Sequence, residues 1–430
     1  MATTIAAETE IALQRMVTVY VVTGLLFLVL PGTFLGVWNL VSISGQHSLA
    51  GLSQSWLQAH GHAQVFGWIG TFIIGIGYYS LSKMGGLMPV AVHRGWTSWA
   101  LWTGGVSLRW AANVTELQWR VLLPLSAACE LIAFLIFFAT VSRHKSRPAP
   151  ANRAAIETWM KLVIASTVAF LLALLVNQVE TVILALTGAH PEIPHWLDQR
   201  YLFLAAWGFP VLAVWGFNAR WLPVFLGLRE PSSSGLMAAL AASASGLAAA
   251  LFGSFQIATL LLLIASILAT IALGVFERPR KPAKTLGVST WFPAFVRGAY
   301  VWLLVAAALG VYAAEADAHG GIWGASRHAL TVGFLSTMVF AIGQRVLPAF
   351  CGMRVLFSKG LMWASLTILN LGCLMRVASE VPAYEANLRA AWWVLPVSAV
   401  TELTAVTLFA LNLTITLILP PPNPPVSKSS

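Results

Sequence analysis

The sequence predicts an all-α membrane protein of about twelve transmembrane helices, arranged as three pseudo-equivalent four-helix units. Three observations predict it. Charge is scarce, apolar runs of spanning length follow one another along the whole chain, and a set of rare polar residues recurs in register inside those runs. Of the 430 residues, 58% are hydrophobic and only 9% charged, against roughly 25% charged in a soluble domain. So little charge cannot cover a water-facing surface, and most of the surface must face lipid. The 19 Trp suit that setting, because indole settles at membrane interfaces. Cys129, Cys351 and Cys373 lie in or beside apolar runs without CxxC spacing, so neither a disulfide framework nor a thiolate metal site is expected. The first sixteen residues are polar, hold two acids and lack a basic n-region. They do not read as a cleavable signal, and the first span is expected to direct its own insertion.

The apolar runs fall at 16–41, 57–82, 94–112, 121–142, 159–187, 199–227, 235–253, 256–276, 292–314, 327–350, 359–379 and 390–419. Each is long enough to cross about 30 Å of hydrocarbon. Together they make residues 1–430 one membrane domain. With an even count both termini share a side. Arg109, Arg120, Arg200, Arg327, Arg376 and Arg389 fall on the opposite face, and the other 19 of the 25 Lys and Arg fall on the terminal face. The positive-inside rule makes that basic face cytoplasmic, which predicts a bacterial inner-membrane protein with both termini inside. The net charge of +10 is then a topology signal, and no nucleic-acid partner is expected. His93 and His144 lie on the basic face, where headgroups or water would meet them.

An internal repeat is visible next. The second span reads HAQVFGWIGTFIIGIG from His62 and the tenth HALTVGFLSTMVFAIG from His328. The third and eleventh spans each end near an arginine, Arg109 and Arg376, and the fourth and twelfth begin LPLSAACEL at Leu123 and LPVSAVTEL at Leu395. In the sixth span, WGFPVLAVWGFNARWLPVFLGLR from Trp207 lies over VGFLSTMVFAIGQRVLPAFCGMR from Val332. The coincidences at His, Arg, Pro and Glu carry the weight, because such residues are scarce in spans. They define repeats over approximately 16–142, 159–276 and 292–419.

His62 and His328 hold one register position, filled in the middle unit by Phe203. Ionisable groups at membrane depth usually mark function. Imidazole is a good axial ligand for haem iron, and helix-bundle interiors are common cofactor sites. Gly67, Gly70, Gly75 and Gly77 would leave room for a flat macrocycle, although glycines also serve close helix packing. His62 and His328 are therefore expected to be axial haem ligands. His60 precedes His62 by two residues, and i and i+2 point to different sides of a helix. It would serve a second haem or a copper ion, with His190, His195, His319 and His47 in loops on the same face, or no metal at all. Arg109, Arg376 and Arg327 lie near span ends on that face and would neutralise haem propionates, the alternative being that they snorkel to the interface. Glu130, Glu402 and Glu180, the last beside Asn177 and Gln178, lie within spans. Such carboxyls must be protonated, paired or part of a proton path.

These residues support a resemblance. Twelve spans in three units, with histidines at the outer ends of the second and tenth, resemble subunit I of the haem–copper oxidases, which implies that His62 and His328 ligate a low-spin haem. The chain departs from that family where dioxygen chemistry needs copper histidines. Phe203 and an apolar 235–253 stand in the sixth and seventh spans, and the tenth has no second histidine. His190-Pro191-Glu192 echoes an oxidase tripeptide but precedes the sixth span. The chain is more similar to the NnrS family, membrane proteins associated with the bacterial response to nitric oxide and described as containing haem and copper. The likeness rests on His60-Gly61-His62 with Phe66-Gly67, and on His328 to Gly333 followed by Arg345. Ala63-Gln64 stands where that family often carries Glu. The resemblance implies an inner-membrane haem protein handling nitric oxide or a related small redox species, by electron transfer from a quinol or cytochrome donor or by gas binding. A cofactor-free transporter or channel, and an accessory subunit of a respiratory complex, are the rival expectations.

Overall fold

The structure is a computed structural model that describes residues 2–48, 53–84, 91–142, 156–352 and 354–419, the first six of them and 81–84 as backbone only. The basic residues at 143–153, His144 and Lys428 lie outside the described residues. Among the described residues there are twelve helical rods and no strand. They are α1 (2–46), α2 (54–84), α3 (Val92–Thr115), α4 (Trp119–Ser142), α5 (Thr158–Thr187), α6 (His195–Leu226), α7 (Ser233–Leu251), α8 (Phe255–Leu273), α9 (Phe292–Ala316), α10 (Gly321–Phe350), α11 (Lys359–Tyr384) and α12 (Arg389–Ile418). They form three units, α1–α4, α5–α8 and α9–α12. The apolar run expected to start at 16 belongs to a rod that is already helical at residue 2.

Ten rods are long and apolar enough to cross a membrane by length and composition. The two that fall short are α2, with Gln54, Gln58, His60, His62 and Gln64, and α3, with His93, Arg94 and Arg109. Their polar side chains serve the interior: Trp68 and Trp102 on the same rods are fully buried, and His62 and Arg109 are 6% and 2% exposed. The bundle's outside is apolar, with Leu26, Leu186, Ile271 and Trp393 all more than half exposed, a surface suited to lipid.

Local chemistry sets the rod ends. Ser53, Ser232 and Ser358 accept backbone N–H bonds from Trp56, Gly235 and Leu361, capping α2, α7 and α11. Gly227 and Gly274 end α6 and α8 at φ +69° and +65°, a conformation glycine adopts without steric cost.

In four rods the helix widens to π geometry: Leu28–Phe34, Ala63–Gly70, Phe203–Val211 and Ala329–Ser336. The alignment of His62 with His328 lays the second of these over the fourth residue for residue, and the third covers 328–336 when Phe203 is placed over His328. Pro31 and Pro210 lie inside two of them, where a missing N–H forfeits an ordinary helical bond. Thr71 and Thr337 close the two histidine-led segments, their N–H groups reaching back to Phe66 O and Val332 O. Each threonine hydroxyl then accepts an N–H from the next rod, from Trp102 at 3.0 Å and from Asn370 at 3.2 Å.

Candidate functional site

The wide turns of α2, α6 and α10 adjoin one another around a cavity of about 270 Å3, whose walls also draw on α1, α3, α11 and α12. All three histidines of α2 and α10 line it, with Arg109, Arg327, Arg376, Asp198 and Glu402. The cavity thus gathers rare polar residues that the sequence singled out in the first and third units, with Asp198 from the middle one.

The ring nitrogens differ in what they leave free. His328 engages through Nδ1, to Gly324 O at 3.0 Å and Glu380 Oε2 at 3.3 Å. His60 also engages through Nδ1, to Gly32 O at 2.8 Å. In both, Nε2 is left over, the arrangement in which a second-shell acceptor orients an imidazole for ligation. Gly36 makes space for the His60 ring, since a Cβ there would lie 2.6 Å from its Cε1. His60 also lies close enough to His328 and Arg376 for their charges to act on it. His62 is turned the other way. Its Nε2 is held by Glu130 Oε1 at 2.8 Å, its Nδ1 has no partner, and the ring stacks on Phe66 at 4.7 Å. The expected pairing of His62 with His328 would have to use Nδ1 of His62, because Glu130 holds Nε2. The two histidines of α2 point to different rods, as their i, i+2 spacing requires, and it is His60 that shares a side with His328.

Arg109 and Arg376 are buried and Arg327 half-buried, all with donors to spare. Arg109 donates from Nη1 to Asn177 Oδ1 at 3.1 Å, Arg327 from Nη2 to Gln199 Oε1 at 3.0 Å, and Arg376 from Nη2 to Glu380 Oε1 at 3.0 Å. Each keeps Nε unpartnered, and Arg376 also Nη1. Among the described residues neither Arg109 nor Arg327 forms an ion pair within 4.0 Å. Asp198 and Glu380 lie within electrostatic reach of Arg327, and Asp198 and Glu180 within reach of Arg109.

Glu130 and Glu402 occupy like places. A Cβ on Gly105 would lie 2.8 Å from Glu130 Cγ, and one on Gly372 would lie 2.7 Å from Glu402 Cγ. Only Glu130 reaches its histidine; Glu402 lines the cavity with Oε1 unpartnered. Sequence reasoning missed Glu380, although its i,i+4 spacing from Arg376 signals a pair on one helix face. It also missed Asp198, Gln199 and Tyr201, which the start of α6 brings to the cavity.

The remaining candidates lie elsewhere. His190 and His195 are exposed, His47 stacks on Trp392 at 5.7 Å, His319 pairs with Glu385 at 3.1 Å and His93 is exposed. Arg345 packs its guanidinium over the Phe225 and Phe292 rings at 4.2 and 5.4 Å, away from the cavity. Among the described residues no group of three or more His, Cys, Asp or Glu is arranged to hold a metal ion, so the copper site suggested by His60 with the loop histidines does not assemble. All three cysteines are free.

Fold and cavity together define a multi-pass membrane bundle of haem–copper oxidase-like architecture. The chain is similar to a structure solved by cryo-electron microscopy and described as a haem–copper terminal oxidase dimer, with a TM-score of 0.69 and 13% sequence identity, over 95% of this chain and 85% of that one. At that identity the likeness is one of fold. No protein-family model and no curated protein matches the sequence.

Proposed function

We propose that the protein is a membrane haem protein of NnrS-like type, in which the cavity holds haem between His328 and His60. The observation that carries this is the pair of imidazoles, on α2 and α10, that each have Nδ1 tied down and Nε2 left toward one cavity. The donor set fits the group. Two neutral imidazoles suit the axial positions, and the unpartnered N–H groups of Arg327, Arg376 and Arg109 suit propionate carboxylates. Haem supplies reversible one-electron exchange at its iron. This chain's residues would hold it, exclude water with Phe66, Trp207 and Trp323, and set the imidazole tautomers through Gly32, Gly324 and Glu380.

With both histidines as ligands the iron would have no open position, which favours electron transfer over gas binding. The likeness of the segments at His60 and His328 to NnrS supports nitric oxide, or a related small redox species, as the eventual acceptor, with a quinol or cytochrome as donor. The orientation in a bacterial inner membrane, termini inside, rests on the 19-to-6 division of basic residues.

The test is the absorption spectrum of the detergent-purified protein. A Soret band with low-spin features is expected; a colourless protein after haem supplementation would overturn the reading. His60→Ala and His328→Ala should each abolish or strongly shift the band, while His62→Ala should retain it. The reverse ranking of His60 and His62 would restore the register-matched pair.

A further inference from the structure

The connection from α8 to α9, on the face that carries the termini, sets Arg278, Arg280, Lys281 and Lys284 close together in the chain, and all four side chains are exposed. The loop's one acid, Glu277, is taken by Arg229 at 2.8 Å. None of the four basic side chains forms an ion pair within 4.0 Å among the described residues. Their backbone is fastened along the end of α6. Arg280 and Lys281 donate their N–H groups to Gly227 O at 2.7 and 3.2 Å, and Lys284 donates to Phe225 O at 2.9 Å. The positive charge is therefore displayed from a held frame, with no acid of the chain to answer it.

The same loop then meets the start of α11. Thr285, Ser289 and Trp291 form one wall of an open groove, and Lys359, Gly360 and Trp363 form the other. Gly287, at φ +85°, makes the bend that brings the loop there. The Ser289 N–H points to Met362 Sδ at 3.5 Å and joins the two walls. Apolar groups stand beside the cations: Leu286 is 93% exposed, Trp291 62% and Trp363 46%. Because α9 begins at Phe292 and α11 at Lys359, the groove lies where two spans leave the hydrocarbon. Indole rings settle at that level, and basic clusters next to span ends attract anionic headgroups.

We propose that this groove and the basic loop beside it form a binding site for an anionic phospholipid, seated between the second and third units. The phosphate oxygens accept charge-assisted hydrogen bonds from Lys359 and the loop cations, and the glycerol and upper acyl chains cover Leu286, Trp291 and Trp363. Two other occupants explain only half of the surface. An acidic protein docking from the water would answer the cations and leave the exposed leucine and indoles uncovered. A zwitterionic lipid would cover the rings and leave the cations without a net counter-charge. A lipid with a net negative headgroup satisfies both. The site stands apart from the histidine-lined cavity, so it does not depend on what that cavity holds.

The experiment uses the full-length protein, delipidated in a neutral detergent and titrated with phosphatidylglycerol, phosphatidylcholine or inorganic phosphate, with bound lipid counted by native mass spectrometry. Phosphatidylglycerol should bind saturably, more than about tenfold tighter than phosphatidylcholine, and should raise the thermal midpoint. Lys359→Gln should weaken it by about fivefold, and joint replacement of Arg278, Arg280, Lys281 and Lys284 by Gln by more than about tenfold. All five side chains are exposed, so the lipid-free midpoint of both variants should match the wild type. Raising the ionic strength from about 0.1 to about 1 M, which shortens the Debye length from about 10 to about 3 Å, should weaken binding in the wild type. Equal affinity for the two lipids, or wild-type affinity in both variants, would overturn the site. Inorganic phosphate binding as tightly as phosphatidylglycerol would overturn a lipid as its occupant.

Discussion

The first and third units carry the same landmarks in the same order, a histidine leading a wide turn, a glycine facing a glutamate, and an arginine, yet they present their histidines in opposite ways. In the first, Glu130 holds His62 by Nε2. In the third, Glu402 stays apart and Glu380 holds His328 by Nδ1. One acid is present in only one of the two units. Four positions beyond Arg376 stands Glu380, while four beyond Arg109 stands Asn113, which turns its amide to Pro191 O instead. His328 Nδ1 meets the Gly324 carbonyl at 3.0 Å with Glu380 beside it, whereas His62 Nε2 meets Glu130, so register equivalence does not carry chemical equivalence with it.

Several changes would break or sharpen that contrast. Glu380→Asn, which makes the third unit like the first, should have the largest effect. It strips Arg376 of its carboxylate, and losing one partner of a buried pair costs about 3–5 kcal/mol, readable as a lower thermal midpoint in detergent. Loss of the His328 orienter should also weaken haem affinity by roughly ten- to a hundredfold in a titration of the apo-protein. Gly105→Ala and Gly372→Ala come next. Each would force a Cβ against a glutamate stem at nearly the same separation, 2.8 and 2.7 Å, and overpacking of this kind costs about 1–3 kcal/mol. The two variants should lose similar stability, and markedly unequal losses would show that the two units are not equivalent there. Thr71→Val removes the acceptor of the Trp102 N–H while leaving that donor Phe66 O at 3.3 Å. A loss of about 0.5–1.5 kcal/mol is expected in the same assay.

The smallest effect lies at the outer rim. Burial favours the protonated Glu385 carboxyl, but bonds from the Gly321 N–H and from His319 outweigh it and hold the group below the usual carboxylate range. A carboxyl depressed on folding stabilises the fold above its unfolded pKa of about 4.3 and loses that contribution as pH falls through the lower folded value. Amide exchange at 318–321 should therefore accelerate below about pH 4 and be insensitive to pH between about 6 and 8. Acceleration at neutral pH would remove Glu385 as the clamp.

Much of this was legible in the sequence. Ten of the twelve rods follow from hydropathy, and the split after 253 falls at Gly253, whose φ of +79° lets the chain turn between α7 and α8. The alignment of His62 with His328 was legible because histidine is rare in spans, and the wide turns fall in that same register. The ring directions were not. Whether His60 or His62 turns to α10 depends on the phase of the helix around its axis, which the polar residues spread over 54–64 do not reveal. Asp198 and Tyr201 were hidden for another reason: they open α6 beside a loop, and only the tertiary packing carries them inward to Arg109 and Glu180.

The wide turns also bear on how the chain tolerates insertions and deletions. A π segment carries surplus backbone relative to an α-helix, and each residue advances a helix by about 100°. The number of residues in 203–211 thus fixes the azimuth of everything that follows in α6. Removing one of them would swing Asn218 away from the Tyr300 hydroxyl that it meets at 2.8 Å, while His195 and Asp198 at the other end kept their places. In this bundle a one-residue change of length in the middle of a span acts as a swivel, uncoupling the half that builds the cavity from the half that anchors it.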